Sequence, residues 1–263
     1  MMSSSIRPDH QEADRLERSR RIGWLNVDGI VASNCLVVGA GALGNEVVKD
    51  LVLSGVKNIT LIDMDSVARS NLNRCVFFRE EDALEGRNKS EVVAQRAGEL
   101  DRECRISALV RRVQDIGADE LRKHDVVFGC LDNIAARLHL NAHAYFHRIP
   151  YVDGATLGTT GKVQVVLPPD GPCLQCAMNR SHLRIMEKRF SCTGNDTTFF
   201  EPKMAAEITT TSVVAAVQVR EGLKIMSGRS GGCIRNLWYY DGLTNRSDVL
   251  EMDSDPECSA HPK

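Results

Sequence analysis

A glycine-spaced turn between an apolar strand and a helix limits this chain more than any other feature. Residues 35–53 read CLVVGAGALGNEVVKDLVL. Cys35–Val38 predicts a strand, Gly39, Gly41 and Gly44 a tight turn, and Leu43–Leu53 a helix. Glycines at this spacing let the backbone come close to a phosphate, and the helix N-terminus favours its charge. An acidic residue is expected roughly 20 residues on, after the next strand, to take ribose hydroxyls. Asp63 follows the apolar run Asn58–Ile62 in that position. The competing reading is a packing turn with no ligand. The loop alone does not separate NAD, held as a redox cofactor, from ATP, consumed as a reactant.

The rest of the chain continues the alternation. Asn88–Leu100 has helical periodicity, Ile106–Val110 reads as a third strand, Asp125–Cys130 as a fourth, Ile134–His147 as a helix and Pro150–Asp153 as a short strand. Apolar runs with little polar alternation suit a parallel sheet covered on both faces, so the expected class is a doubly wound, Rossmann-like α/β fold. After Gly154 the pattern changes. Lys162–Leu167 alternates and ends at PPDGP, Met204–Met226 is a long helix, and Leu237–Tyr240 and Asp248–Met252 read as late antiparallel strands. The sheet is therefore expected to be mixed. Residues 1–21 read as an Arg-rich arm and residues 22–263 as a single domain, because no linker divides them.

Composition narrows the classes. Hydrophobic residues make up 43% of 263, enough for a full core, and the formal net charge of −2 gives no support for nucleic-acid binding by bulk charge. No apolar run reaches the roughly 18 residues of a membrane span, and the polar N-terminus lacks the apolar core of a signal peptide. A soluble, cytoplasmic protein is expected. Nine cysteines in such a chain point to metal ligands, a reactive thiol or core positions before disulfides.

The choice between nucleotides rests on three further stretches. DMDSVARSNLNRCVFF places Asn71 and Arg74 in the loop after the second strand; EGRNKSEVVAQRA places Lys89 at a helix start; VVFGCLDNIAARLHLN places Asp132 at the end of the fourth strand. In a doubly wound sheet these positions share one crevice. Any one of them is commonly a solvated surface charge. Together they supply two cations for a triphosphate and a carboxylate for its Mg²⁺. Hydride transfer with NAD needs neither, so an oxidoreductase is the weaker reading.

These stretches together resemble the ubiquitin-activating enzyme superfamily, which includes ThiF, MoeB and HesA. The resemblance rests on GAGALG, the D-x-D at Asp63 and Asp65, S-N-L-N-R at 70–74, K-x-E at 89–91, L-D-N-x-x-x-R at 131–137 and TTTSVVAAVQVREGLK. It implies ATP-dependent adenylation of the C-terminal glycine of a ubiquitin-like or sulfur-carrier β-grasp protein. It also implies that Asp63, with Asp65 beside it, serves the ribose, that Asn71, Arg74 and Lys89 hold phosphates, and that Asp132 holds Mg²⁺. Cys75 stands where the family usually has Gln, a change expected to alter packing and leave Arg74 in place. Family members supply an arginine from the N-terminal arm, often across a homodimer. Arg18, Arg20 and Arg21 are the candidates here, with Arg21 preferred. A catalytically silent regulatory partner is disfavoured, because every nucleotide motif is retained.

The cysteines sort by setting. Cys173-x-x-Cys176 and Cys258-x-x-His261 form two paired ligand sets, and three thiolates with one imidazole suit a closed tetrahedral Zn²⁺ site stapling the C-terminal extension. The family typically has a second C-x-x-C where this chain has Cys258 and His261. The fourth ligand is thus either His261 or a group from elsewhere. Cys35, Cys104 and Cys130 lie in strand patterns and read as core, while Cys233 sits in a GGC turn. Cys192 differs. It lies in a polar loop after Lys188 and Arg189, a setting that favours thiolate, and it matches the family's reactive cysteine. Two fates follow for the adenylate: a thioester on Cys192 passed to a conjugating enzyme, or release to thiamine- or molybdopterin-type sulfur transfer. The S-C-T-G context favours conjugation.

Overall fold

The computed structural model describes residues 14–176, 205, 207–234 and 236–261. Two short helices, α1 (Glu17–Arg20) and α2 (Val27–Ala32), precede β1 (Asn34–Val38), α3 (Ala42–Ser54) and β2 (Asn58–Ile62). Then come α4 (Glu80–Glu85), α5 (Lys89–Gly98), β3 (Arg105–Leu109), α6 (Ala118–Leu121), β4 (Val126–Gly129) and α7 (Ile134–Phe146). The described chain closes with β5 (Tyr151–Leu157), β6 (Thr160–Val166), α8 (Ile208–Met226), β7 (Leu237–Asp241) and β8 (Arg246–Leu250).

All eight strands form one sheet in the order β3-β2-β1-β4-β5-β6-β7-β8. The pairs from β3 to β5 are parallel and those from β5 to β8 antiparallel, as the mixed-sheet expectation requires. Val38 lies level with Ile62 on one side and Gly129 on the other, so the residues that follow β2, β1 and β4 emerge side by side. The chain winds outward from β1 to β3 and then returns to β4 across β1. That reversal opens a crevice at the carboxyl ends of β1 and β4.

The apolar runs are buried because helices cover both faces. Cys35, Leu36, Val37 and Val38 of β1 are at most 1% exposed. One core, on the side of α3, α5 and α8, gathers Val37, Val47, Val48, Leu51, Phe128 and Val214; the other, on the side of α7, gathers Leu36, Val38, Val127, Leu140 and Tyr151. Cys35, Cys104, Cys130 and Cys233 are all buried, as core cysteines should be. Glu207 starts α8 by accepting the N–H groups of Thr209 and Thr210 at 2.6 and 2.8 Å. Those bonds, that of Thr210 foremost, draw its carboxyl down to about 2.

Several elements depart from the sequence expectation. β5 runs past Gly154 to Leu157, because each of residues 154–157 is held by a partner on β6. β8 begins at Arg246, fixed by its register opposite Asp241 across a tight hairpin. The helices α2 and α4 were not anticipated; at 6 residues each they are too short to display a period. Residues 14–21 of the arm lie against the domain. Leu16 is 5% exposed and sits over Gly55, and Arg15 reaches Asp101 at 3.1 Å.

A buried ion pair joins α7 to β5. The Arg137 guanidinium donates through Nε to Asp153 at 3.0 Å and through a second nitrogen to its other oxygen, while the Tyr151 hydroxyl donates to Asp153 at 2.7 Å. Arg137 and Asp153 are 8% and 1% exposed. Removing one member leaves the other charge buried without compensation, at a cost of about 3–5 kcal/mol. Arg137→Met is accordingly expected to lower the midpoint of denaturant unfolding steeply, although Arg137 belongs to the same L-D-N-x-x-x-R stretch as Asp132.

Candidate functional site

The glycine turn is shaped by close backbone approaches. Gly39 has φ of +101°, and a Cβ there would meet the Cys130 carbonyl oxygen at 2.4 Å; at Gly44 a Cβ would meet the Gly39 oxygen at 1.9 Å. Only glycine fits either place. At Gly41 nothing lies within 4 Å of an added Cβ, so the turn has an open side. Gly41 is also the N-cap of α3, a 13-residue helix that receives no side-chain cap. Its first N–H groups are therefore left for an outside acceptor, and the helix dipole favours an anion there.

Asparagines and aspartates lock the turn in place. Asn45, fully buried, donates to the carbonyls of Ala40 and Gly41 at 2.9 Å each, and its Oδ1 accepts the Phe77 N–H at 3.0 Å. That bond ties the S-N-L-N-R segment to the turn. Asp63 accepts from the N–H of Ala40 at 2.7 Å through one oxygen and from Asp65 N–H at 2.8 Å through the other. Each oxygen keeps a second lone pair for a ribose hydroxyl. Burial pushes the Asp63 carboxyl above its usual range, while Lys89 and the two N–H groups pull it back.

The charged residues gather at the same end of the sheet. Lys89 opens α5, its N–H donating to the Asp65 carbonyl and its ammonium to the Asp65 carboxylate, both at 2.9 Å. Asn88 caps this helix, accepting from Ser90 N–H at 2.9 Å and donating to the Asp65 carbonyl at 3.0 Å. Asn71 accepts the Ala68 N–H at 2.9 Å, and Arg74 holds the Ser70 carbonyl and the Asn73 side chain. Cys75 is 3% exposed, and burial pushes its thiol up to about 11. It packs into the core while Arg74 stays half-exposed. Asp132 lies just past β4, exposed, before Asn133, which caps α7. Among the described residues Asp132 has no hydrogen-bond or ion-pair partner.

Arg21 stands apart from this group. It is paired with Glu17 at 2.6 Å, and the arm around it is anchored to Gly55 and Asp101, which precede β2 and β3. Arg21 thus sits near the amino ends of the strands, about 16 Å of strand away from the crevice at their carboxyl ends. Cys192, with Lys188 and Arg189, lies outside the described residues.

On the α7 face, Cys173, Cys176, Cys258 and His261 bring their four ligand atoms within 4.8 Å of one another. The sulfur of Cys173 lies 3.8 Å from that of Cys176 and 3.7 Å from that of Cys258; Nε2 of His261 lies 3.5 Å from Cys176 sulfur. The set could hold one metal ion. Burial pushes the Cys258 thiol up to about 12 and raises Cys173 as well, so a metal must displace protons to bind. Burial lowers His261, which favours the neutral, ligating imidazole.

Two residues of these sites escaped the sequence reading: Asn45 and Asn88. Asn88 was readable as a capping residue directly before Lys89. Asn45 carried a fainter signal, a polar residue on the apolar stripe it shares with Val48 and Val52.

The sequence profile of the ThiF family matches residues 14–260. The chain belongs to the ThiF family. This ThiF-family chain is 28% identical over 253 residues to the molybdopterin-synthase adenylyltransferase of Escherichia coli strain K12, an alignment covering 94% of this chain and 96% of that protein. It is 37% identical over 157 residues to the NEDD8-activating enzyme E1 catalytic subunit of Dictyostelium discoideum, covering 55% of this chain and 35% of that one. The SUMO-activating enzyme subunit 2 of the same organism is 34% identical over 157 residues, with 23% of its length covered. The chain thus spans about a third or less of these E1 relatives. Among solved structures, E. coli MccB with ATP has a TM-score of 0.76 and 21% identity, covering 96% of this chain and 75% of that one, a likeness of fold. Among the described residues, no helix is long and apolar enough to cross a membrane.

Proposed function

We propose that this chain uses ATP and Mg²⁺ to adenylate the C-terminal glycine of a small β-grasp protein. The observation that carries the reading is that an uncapped helix N-terminus, Lys89, Arg74 and an exposed Asp132, which has no ion-pair partner among the described residues, follow the carboxyl ends of neighbouring strands. The near full-length match to an adenylyltransferase supports it. ATP supplies the adenylyl group, with pyrophosphate as the leaving group. The chain's own part is positioning and charge neutralisation. The open N–H groups of α3 and the Arg74 and Lys89 cations bind phosphate oxygens, Asp63 orients the ribose, and Asp132 holds Mg²⁺. Lys89 is already charge-paired with Asp65, so binding a phosphate exchanges one anionic partner for another. The arm's anchorage at the far end of the sheet supports a homodimer in which Arg21 serves the crevice of a second copy.

Zinc fits the Cys₃His cluster. With Zn–S near 2.3 Å and Zn–N near 2.05 Å, tetrahedral edges are about 3.8 Å for S···S and about 3.6 Å for S···N. Three of the six observed separations are 3.7, 3.8 and 3.5 Å, and all six lie within 4.8 Å. Zinc there would hold the C-terminal tail onto α7.

For the next step we favour attack of the Cys192 thiolate on the acyl adenylate, forming a thioester and releasing AMP, before transfer to a conjugating enzyme. The basic residues Lys188 and Arg189 support this reading. A second reading, sulfur transfer from the adenylate, is favoured by the end-to-end match to the molybdopterin-synthase enzyme. The two separate in one experiment. Under conjugation, Cys192→Ala retains ATP–pyrophosphate exchange and loses a thiol-sensitive enzyme–modifier adduct seen on a non-reducing gel. No such adduct in the wild type leaves sulfur transfer; an adduct that persists in the variant moves the nucleophile elsewhere.

A further inference from the structure

The helix α7 touches the Cys₃His cluster in two places one turn apart. Tyr145 stacks on the His261 ring at 4.2 Å and 8° from parallel, and its hydroxyl donates to the Pro169 carbonyl at 2.6 Å. Four residues earlier, Asn141 is fully buried. Its Oδ1 accepts the Leu174 N–H at 3.0 Å, which fixes the carboxamide beside Cys173. Among the described residues, however, its Nδ2 has no hydrogen-bond partner. An unmade bond on a buried amide is destabilising, so such a group calls for a partner.

The charge of a filled site supplies the reason. Three thiolates and one Zn²⁺ leave one net negative charge in a pocket where Cys173 is 0% and Cys258 7% exposed. Such a charge needs N–H donors aimed at sulfur. The Asp255 N–H already points to Cys176 sulfur at 3.4 Å. Cys173, the most buried thiol of the cluster, has no comparable backbone donor from outside its own turn among the described residues. We infer that Asn141 is a positioning residue of the metal cluster, its Nδ2 donating a hydrogen bond to the metal-bound Cys173 thiolate while Tyr145 orients His261. This rests on the zinc reading above. It also means that α7 follows directly on Asp132, holds β5 through the Arg137–Asp153 pair and meets the cluster at its far end, so the metal braces the element that borders the nucleotide crevice.

The test uses the full chain loaded with Co²⁺ or Zn²⁺. Asn141→Leu and the smaller Asn141→Ala both remove the amide donor without introducing a charge. Both variants are expected to release metal to a competing chelator about 10–100-fold more readily than the wild type. In both, the thiolate-to-Co²⁺ charge-transfer band should move to lower energy, because a hydrogen bond to sulfur stabilises its lone pair. If Asn141 serves only to anchor Leu174, the charge-transfer band keeps its wild-type position in both variants, and the inference is overturned. A wild type that gives no cysteine-dependent Co²⁺ spectrum overturns the zinc reading itself, a separate outcome. Should Asn141→Leu fail to fold, Asn141→Ala alone decides.

Discussion

Asp132→Ala should abolish adenylate formation and leave the fold standing. Removing a group that stabilises developing charge in a phosphate-transfer site costs about 100- to 1,000-fold in rate. Loss of an exposed side chain with no structural partner changes stability by no more than about 0.5 kcal/mol. The contrast with Arg137, five positions on, is the diagnostic: the expected damage at Asp132 falls on catalysis and that at Arg137 on stability. The measurement pairs pyrophosphate exchange across a Mg²⁺ series with a denaturant melt. An Asp132→Ala enzyme with near wild-type exchange and an unchanged Mg²⁺ requirement removes Asp132 from the site.

Loss of a cluster cysteine should have the largest effect on stability. Purified without chelator, the protein is expected to contain one zinc per chain, and Cys173→Ser or Cys258→Ser well below that. The free energy of filling such a site is folding free energy. A loss on the order of 5 kcal/mol corresponds to a fall of roughly 10 °C or more in melting temperature for a chain of this size. Chelator should lower the wild-type midpoint and do nothing further to either variant. His261→Ala is the milder change, because three thiolates remain. Equal metal content in wild type and Cys173→Ser would contradict the ligand set.

What the sequence made legible was local. The strand, glycine turn and helix at 35–53 and the two ligand pairs of the cluster lie within short windows, where spacing reports geometry directly. The partners that complete each site do not. Asn45 takes its meaning from Phe77, 32 residues away, and Cys173 meets Cys258 across 85. Asn141 looks like an ordinary polar residue of a helix until Leu174 is folded against it. The placement of Arg21 was beyond sequence reasoning for a related reason. The residues that anchor the arm, Gly55 and Asp101, carry no motif. The end of β5 was misjudged because glycine weakens an isolated strand, whereas here the β6 ladder holds it.

The central claim is ATP-dependent acyl adenylation, and ATP–pyrophosphate exchange tests it most directly. The full chain is incubated with ATP, Mg²⁺ and labelled pyrophosphate, together with members of a panel of small β-grasp proteins ending in glycine. Label should enter ATP only with one or a few panel members, and should be lost when the terminal glycine is removed or Asp132 is replaced by Ala. No exchange with any panel member, joined to tight binding of NAD in place of ATP, is the result that contradicts it.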